Sequence, residues 1–114
     1  MKNTTLRTRF RLIQTYLFEM TLKLVLKKKW WDMVASGQKR EEYREATAYW
    51  ARRFYDEWCC WKPYDEVTFY LGYAKDRPSM TFRIIDILEG PGRPEWGAEP
   101  GKEYFVIQLG KRIN

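Results

Sequence analysis

Strict alternation of apolar and polar side chains along several short segments predicts β-strands, because successive side chains of a strand point to opposite faces. In the first such segment leucine stands at every second position, so one face of the predicted strand is apolar. The doubled isoleucine Ile84-Ile85 breaks the alternation of the fourth segment and predicts a β-bulge there. The five predicted strands are Thr21–Leu26, Arg40–Arg44, Glu66–Leu71, Met80–Ile87 and Tyr104–Leu109.

The segment after the first strand has the spacing of a short helix. Lys28–Ser36 would bury Trp30 or Trp31 together with Val34 on its apolar face. Gly37 follows directly, and a glycine that takes a positive φ is a common end to a helix. The pattern therefore predicts a helix that ends in a tight turn at Gly37.

A second helix is predicted between the second and third strands. Thr47 is a suitable N-cap, and Trp50, Phe54 and Trp58 recur every four residues, which predicts an apolar stripe packed on the core. We expect this helix to run to about Trp58. Strands outnumber helices and both helices precede the third strand, which favours an α+β fold, a small β-barrel of about five strands with two flanking helices.

The first 19 residues differ from the rest of the chain. Arginines alternate there with large apolar residues, and Met20 then stands directly before the first strand. Two interpretations remain open. Residues 1–19 are a basic arm that packs on the domain or contacts RNA, or translation begins at Met20. In either case the length of the chain suits one domain, over residues 20–114.

Charge is distributed unevenly along the chain. Residues 1–29 hold eight Lys or Arg and one Glu, whereas the remainder holds 13 Lys or Arg and 14 Asp or Glu, so the net charge of +6 comes from one end. A basic end is compatible with phosphate contacts and equally with plain solubility. The absence of an apolar run of about 20 residues and of a signal-peptide core favours a cytoplasmic protein with no membrane contact.

The residue types exclude several kinds of site. The chain has no histidine, which excludes histidine acid–base catalysis, Ser-His-Asp triads and zinc sites that need imidazole. Its two cysteines, Cys59 and Cys60, are adjacent, and two thiols cannot complete a structural zinc site. We therefore expect no metal and no cofactor.

The densest charge pattern lies between the first helix and the second strand. Gly37, Lys39, Glu42 and Arg44 have the spacing G-x-K-x-x-E-x-R. Glu42 and Arg44 should share a strand face, and Lys39 should reach that face from the preceding turn. Considered only as charges, these residues have two interpretations. In one, the glutamate is anchored by one cation and the second cation is open to a phosphate or a carbonyl oxygen. In the other, they form an ion-pair ladder on the surface.

This spacing resembles the signature of the ASCH domain family, which belongs to the PUA-like superfamily. The order of predicted elements from about Thr21 to Ile113 is also similar to that family. The resemblance implies a PUA-like β-barrel with a cleft beside the signature that binds RNA or a modified nucleoside. In that cleft Lys39 would contact a phosphate or a base carbonyl. Arg44 would hold Glu42, and Glu42 would accept hydrogen bonds from a base edge.

The same resemblance implies an enzyme as an alternative. Some relatives are amidohydrolases that remove the acetyl group of N4-acetylcytidine with a threonine, a lysine and a glutamate. Their lysine matches Lys39, but their threonine falls at Glu42, which can serve as a general base and does not replace a threonine nucleophile. The alternative is a metal-independent hydrolase of acylated nucleosides or RNA that uses Lys39 and Glu42.

Two predicted loops add candidate binding residues. In the loop 89–101, rich in Gly and Pro, Trp96 either plugs the barrel or stacks on a base, with Arg93 near a phosphate. In the turn after the third strand, Tyr73 and Lys75 suit single-stranded RNA or a plain polar hairpin. A third reading of the aromatic-rich chain is a protein-interaction module. The full set of candidate binding residues is Lys39, Glu42, Arg44, Tyr73, Lys75, Arg93 and Trp96.

Overall fold

A computed structural model describes residues 20–114 of the chain, and within them five strands and two helices form a small α+β domain. The predicted class and the predicted numbers of strands and helices are confirmed for this part of the chain. The elements in chain order are β1 Thr21–Leu26, α1 Lys28–Ala35, β2 Glu41–Glu45, α2 Ala48–Phe54, β3 Glu66–Leu71, β4 Ser79–Gly90, a 3₁₀ turn Pro94–Trp96 and β5 Tyr104–Arg112.

The five strands form one sheet in the order β1-β3-β4-β5-β2. The β1–β3 pair is parallel and the other three pairs are antiparallel. The sheet curls into a half-barrel, so its two edge strands, β1 and β2, approach each other. A side chain joins them, because Nη2 of Arg44 on β2 donates to the backbone oxygen of Val25 on β1 at 3.1 Å.

The pairing of β2 with β5 determines which side chains point into the half-barrel. Glu42 lies opposite Ile107 and Arg44 lies opposite Phe105, and residues directly opposite each other in an antiparallel pair share a face. Ile107 and Phe105 belong to the main hydrophobic core. Glu42 and Arg44 therefore point toward the core side of the sheet, at positions that the other strands fill with apolar residues.

Aromatic rings form the centre of the core where α2 meets the sheet. The ring of Phe105 stacks on Phe54 of α2 with a centroid distance of 4.7 Å. Tyr55 and Trp61 approach the same ring edge-on at 5.7 and 6.0 Å. This cluster holds α2 beside β2, and it thereby positions the helix next to the Gly37–Arg44 signature.

The predicted end of α2 is wrong. The helix stops at Phe54, and Trp58 lies outside it with 77% of its surface exposed rather than in the core. After Tyr55 the chain turns back, because the Asp56 carboxylate accepts the Trp58 N–H at 2.8 Å and favours a turn over another helical residue. Trp61, which pairs with Tyr55 in an isolated bridge, packs on the core instead.

The other element boundaries differ less. Strands β4 and β5 extend beyond the predicted segments because they pair with each other as far as Gly90 and Arg112. The predicted bulge is confirmed, since the register of β4 against β5 shifts on both sides of Ile84. Helix α1 buries Val34 fully and both tryptophans only partly. None of the helices within residues 20–114 is long and apolar enough to cross a membrane.

Replacing the central ring tests this core. We expect Phe105→Ala to lower the free energy of unfolding by about 3–5 kcal/mol, because it removes the ring that three other aromatic side chains contact. Tyr73→Ala is the control, since that ring is 83% exposed and its loss should change stability by less than about 0.5 kcal/mol. Urea unfolding of both variants gives the comparison, and equal losses would contradict this description of the core.

Candidate functional site

The signature begins with a glycine turn at the end of α1. Gly37 has φ +84°, a conformation that glycine adopts without steric cost, and its N–H donates to the Val34 oxygen at 3.1 Å. The Lys39 N–H then donates to the Met33 oxygen at 2.9 Å. These two bonds fold the chain back under the helix end and direct Lys39 toward the start of β2.

Three signature residues form a buried charge cluster: Lys39, Glu42 and Arg44. Nζ of Lys39 lies 2.9 Å from Oε1 of Glu42, and Nη1 of Arg44 lies 2.6 Å from Oε2 of the same carboxylate. Lys39 also donates to the backbone oxygen of Glu41. The Lys39 and Glu42 side chains are only 1% and 5% exposed, so the cluster is no surface ladder. Both cations pair with Glu42, and Lys39 is too deeply buried to serve as a separate phosphate ligand.

The surroundings of Lys39 are aromatic as well as charged. Its Nζ lies 4.8 Å from the ring centroid of Tyr43 and 5.6 Å from that of Trp30. Burial lowers the pKa of the Lys39 ammonium below its usual value, and the neighbouring Glu42 charge partly opposes that shift. The lysine is thus held by its partners in a place where an unpaired charge would be costly.

Arg44 is the member of the cluster that reaches the surface. Its side chain is 19% exposed, and its guanidinium carbon lies 5.2 Å from the ring centroid of Trp50 on α2. The guanidinium bonds Glu42 on one side and the Val25 oxygen on the other, while its Nε has no hydrogen-bond partner within residues 20–114. Arg44 therefore connects the buried carboxylate to the surface between the two sheet edges.

A basic groove of about 480 Å³ opens at Arg44. Arg53 lies on its other side, with its guanidinium carbon 5.1 Å from the Trp50 ring and Nη2 3.4 Å from the backbone oxygen of Lys23. Two arginines thus flank one indole and bond to carbonyl oxygens of β1. The groove is lined by Lys23, Leu24, Val25, Arg44, Tyr49, Trp50, Arg53 and Tyr73, and no carboxylate of the described residues is among them.

The opposite face of β2 borders a different cavity. The Tyr43 side chain alternates with those of Glu42 and Arg44 and packs in a second apolar cluster, which Trp96 also contacts. Arg93 lies over the Trp96 ring at 4.8 Å. This outer cleft has a volume of about 350 Å³ and is lined by Arg40, Glu41, Ile85, Arg93, Trp96, Gln108 and Leu109.

The candidate residues from the sequence therefore fall into separate places. Arg44 and Tyr73 line the basic groove, whereas Arg93 and Trp96 line the outer cleft. Lys39 and Glu42 are buried, and Lys75 is exposed in the turn between β3 and β4 and lines neither cavity. The structure does not bring Trp96 and Arg44 together.

Sequence reasoning missed the part of the groove that α2 supplies. The apolar spacing assigns Trp50 to the core, and the structure packs it against the core but also leaves it partly exposed between two guanidinium groups. The spacing of Trp50 and Arg53 was the available signal, because residues three apart on a helix lie on neighbouring surface positions. Lys23 gave no signal, since a lysine on the polar face of a strand is ordinary.

No protein-family model matches the chain, and no curated protein sequence matches it either. The contacts described above are therefore the basis for a functional proposal.

Neutralising the buried carboxylate tests the cluster. We expect Glu42→Gln to lower the free energy of unfolding by about 3–5 kcal/mol, because it leaves two cations without their shared partner. Glu95→Gln is the matched control. Glu95 also pairs with an arginine, at 3.5 Å, but both side chains are about 60% exposed, so its loss should cost less than about 1 kcal/mol. Similar costs for both substitutions, measured by urea unfolding, would contradict a buried cluster.

The lowered pKa of Lys39 predicts a dependence of stability on pH. Between the folded-state pKa and 10.5 the unfolded chain holds more protons, so the free energy of unfolding should rise with pH across this window. Lys39→Met lacks this contribution, and the other titrating groups are common to both proteins. The stability of the wild type relative to Lys39→Met should therefore increase as pH approaches 10.5. A relative stability that stays level or falls would contradict the shift.

Proposed function

We propose that this domain binds single-stranded RNA, or a modified nucleoside within it, in the basic groove beside the Gly37–Arg44 signature. The observation that carries the proposal is the lining of that groove, where Lys23, Arg44 and Arg53 occur together with Trp50 and no acidic side chain of the described residues is among them. A positively charged groove with aromatic rings is the usual arrangement for single-stranded nucleic acid. We further propose that the half-barrel is a PUA-like fold of the ASCH type, on the basis of the signature and the element order.

The phosphate contacts would come from the three cations. Arg44 suits this role because Glu42 and the Val25 oxygen already hold its guanidinium in place, so little side-chain freedom is lost on binding. Arg53 is held in a similar way by Tyr49 and by the Lys23 oxygen. Guanidinium groups present several donors to a phosphate, and this supports the groove as the path of an RNA backbone.

The base contacts would come from tyrosines at the edge of the groove. Tyr49 is 55% exposed and Tyr73 is the most exposed aromatic side chain of the described residues. Exposed rings offer flat faces on which unpaired bases stack, and such stacking tolerates any base. This set of residues supports RNA over a small acidic metabolite, which would use the cations and leave the rings unoccupied.

The burial of Lys39 and Glu42 favours binding over hydrolysis. A general base must reach the proton that it removes, and the Glu42 carboxylate is instead occupied by Lys39 and Arg44. In this arrangement the pair supports the position of Arg44 and is not aimed at a substrate.

Salt dependence of RNA binding tests the proposal. We expect Arg53→Gln to weaken binding of a short single-stranded RNA and to reduce the slope of log affinity against log salt by about 0.7, the contribution of one phosphate contact. Arg52→Gln is the matched control, because Arg52 is the neighbouring arginine on α2 and lines a different cavity. Fluorescence anisotropy at several salt concentrations provides both measurements.

Two results would contradict the proposal. One is an equal loss of RNA affinity in Arg52→Gln and Arg53→Gln, because it would show that RNA responds to the overall positive charge of the domain and not to the groove. The other is release of acetate from free N4-acetylcytidine by a protein whose binding ignores salt, because that is the behaviour of the alternative hydrolase.

A further inference from the structure

The outer cleft, on the other face of β2, has the size and walls of a site for a flat ligand. Its volume of about 350 Å³ lies at the lower end of the range for small-molecule pockets. The indole of Trp96 and the side chain of Ile85, which is 60% exposed, supply apolar surface. None of these residues belongs to the basic groove, so the inference that follows does not rest on the function proposed for that groove.

Two polar side chains stand next to each other in the cleft. Glu41 and Gln108 are directly opposite in the β2–β5 pair and therefore share a face of the sheet. The Glu41 carboxylate is held by the Tyr43 hydroxyl, which donates to its Oε1 at 2.7 Å and accepts the Arg93 N–H at 3.0 Å. This chain of hydrogen bonds positions the carboxylate beside the loop that carries Arg93 and Trp96.

A carboxylate beside an amide selects for one kind of base edge. An ionised carboxylate only accepts hydrogen bonds, and it retains capacity after one bond from a hydroxyl. Guanine has two adjacent donors, N1–H and the N2 amino group, next to the acceptor O6. On adenine and cytosine the amino donor is followed by a ring acceptor, and uracil has one donor between two carbonyls. The carboxylate would accept both guanine donors, and the amide nitrogen would donate to O6.

The remaining lining residues suit the rest of a nucleotide. Arg93 lies over the Trp96 ring, but it is 61% exposed and its pairing with Glu95 is long at 3.5 Å, so it can move to admit a base. A base between an indole and a guanidinium is stacked on both sides. The exposed Arg40 is left to face a phosphate.

We propose that the outer cleft binds a guanine nucleotide, with Trp96 stacking on the base, Glu41 and Gln108 reading its Watson–Crick edge, and Arg40 and Arg93 facing its phosphate. Base selectivity would then belong to a second site, separate from the groove and on the opposite face of the same strand.

Titration of the wild-type protein with GMP, AMP, CMP and UMP tests this inference. By calorimetry we expect GMP to bind about tenfold or more tightly than the other three, the discrimination of one good bidentate contact. By NMR, GMP should shift the side-chain amide signals of Gln108 and the indole signal of Trp96. No binding of GMP, or shifts elsewhere only, would overturn the proposal without the need for any variant.

Substitutions then locate the selectivity. Glu41→Gln should abolish the preference for GMP, and Trp96→Leu should lower the binding affinity for all four nucleotides. Glu45→Gln is the matched control, because Glu45 lies on the same strand face, is half exposed, and lines neither cavity. Retention of the GMP preference in Glu41→Gln would overturn the assignment of the carboxylate.

Arg53→Gln separates this site from the basic groove. It should leave GMP binding unchanged whatever its effect on RNA, so the two proposals can fail independently. Loss of GMP binding in this variant would overturn the outer cleft as a separate site.

Discussion

The carboxylate of Glu42 lies inside the domain between two cations, and the arrangement of the site depends on this interaction. Lys39 approaches it from the glycine turn and Arg44 from the same strand face. A buried ion pair adds little net stability compared with apolar residues of the same size, but loss of one partner is costly. The cluster therefore constrains how the turn, β2 and β1 meet, because Arg44 also bonds the Val25 oxygen across the open edge of the sheet.

Strand β2 presents different chemistry on its two faces. On one face Glu42 is buried and Arg44 lines the basic groove. On the other face Glu41 lines the outer cleft and is hydrogen-bonded by Tyr43. Side chains of a strand alternate, so a short polar strand at a sheet edge can supply two surfaces at once. In this domain the residues beside the signature thus border both candidate binding surfaces.

Local periodicity predicted the elements well because it depends on neighbouring residues only. Alternation located four of the five strands, and the Gly37 turn and the Thr47 cap located the helix limits on either side of β2. The end of α2 was mispredicted, because a pattern of apolar residues cannot distinguish Trp58 from Trp61 when only a tertiary contact decides which one packs on Phe105. The pairing of Arg44 with Glu42 was predicted from the spacing, whereas Lys39 was expected to stay open to a ligand and pairs with the same carboxylate instead. The separation of Trp96 from Arg44 depended on long-range folding of the loop 91–101.

The most direct measurement follows the side-chain signals of the signature during titration of the wild-type protein with a short single-stranded RNA. NMR resolves arginine Nε–H groups and the ammonium of a buried, hydrogen-bonded lysine. If the cluster holds Arg44 for the ligand, the Arg44 and Arg53 Nε–H signals shift strongly and the Lys39 ammonium signal changes far less. A strong shift at Lys39 with none at Arg44 would contradict the account, because it would place the ligand on the buried pair itself.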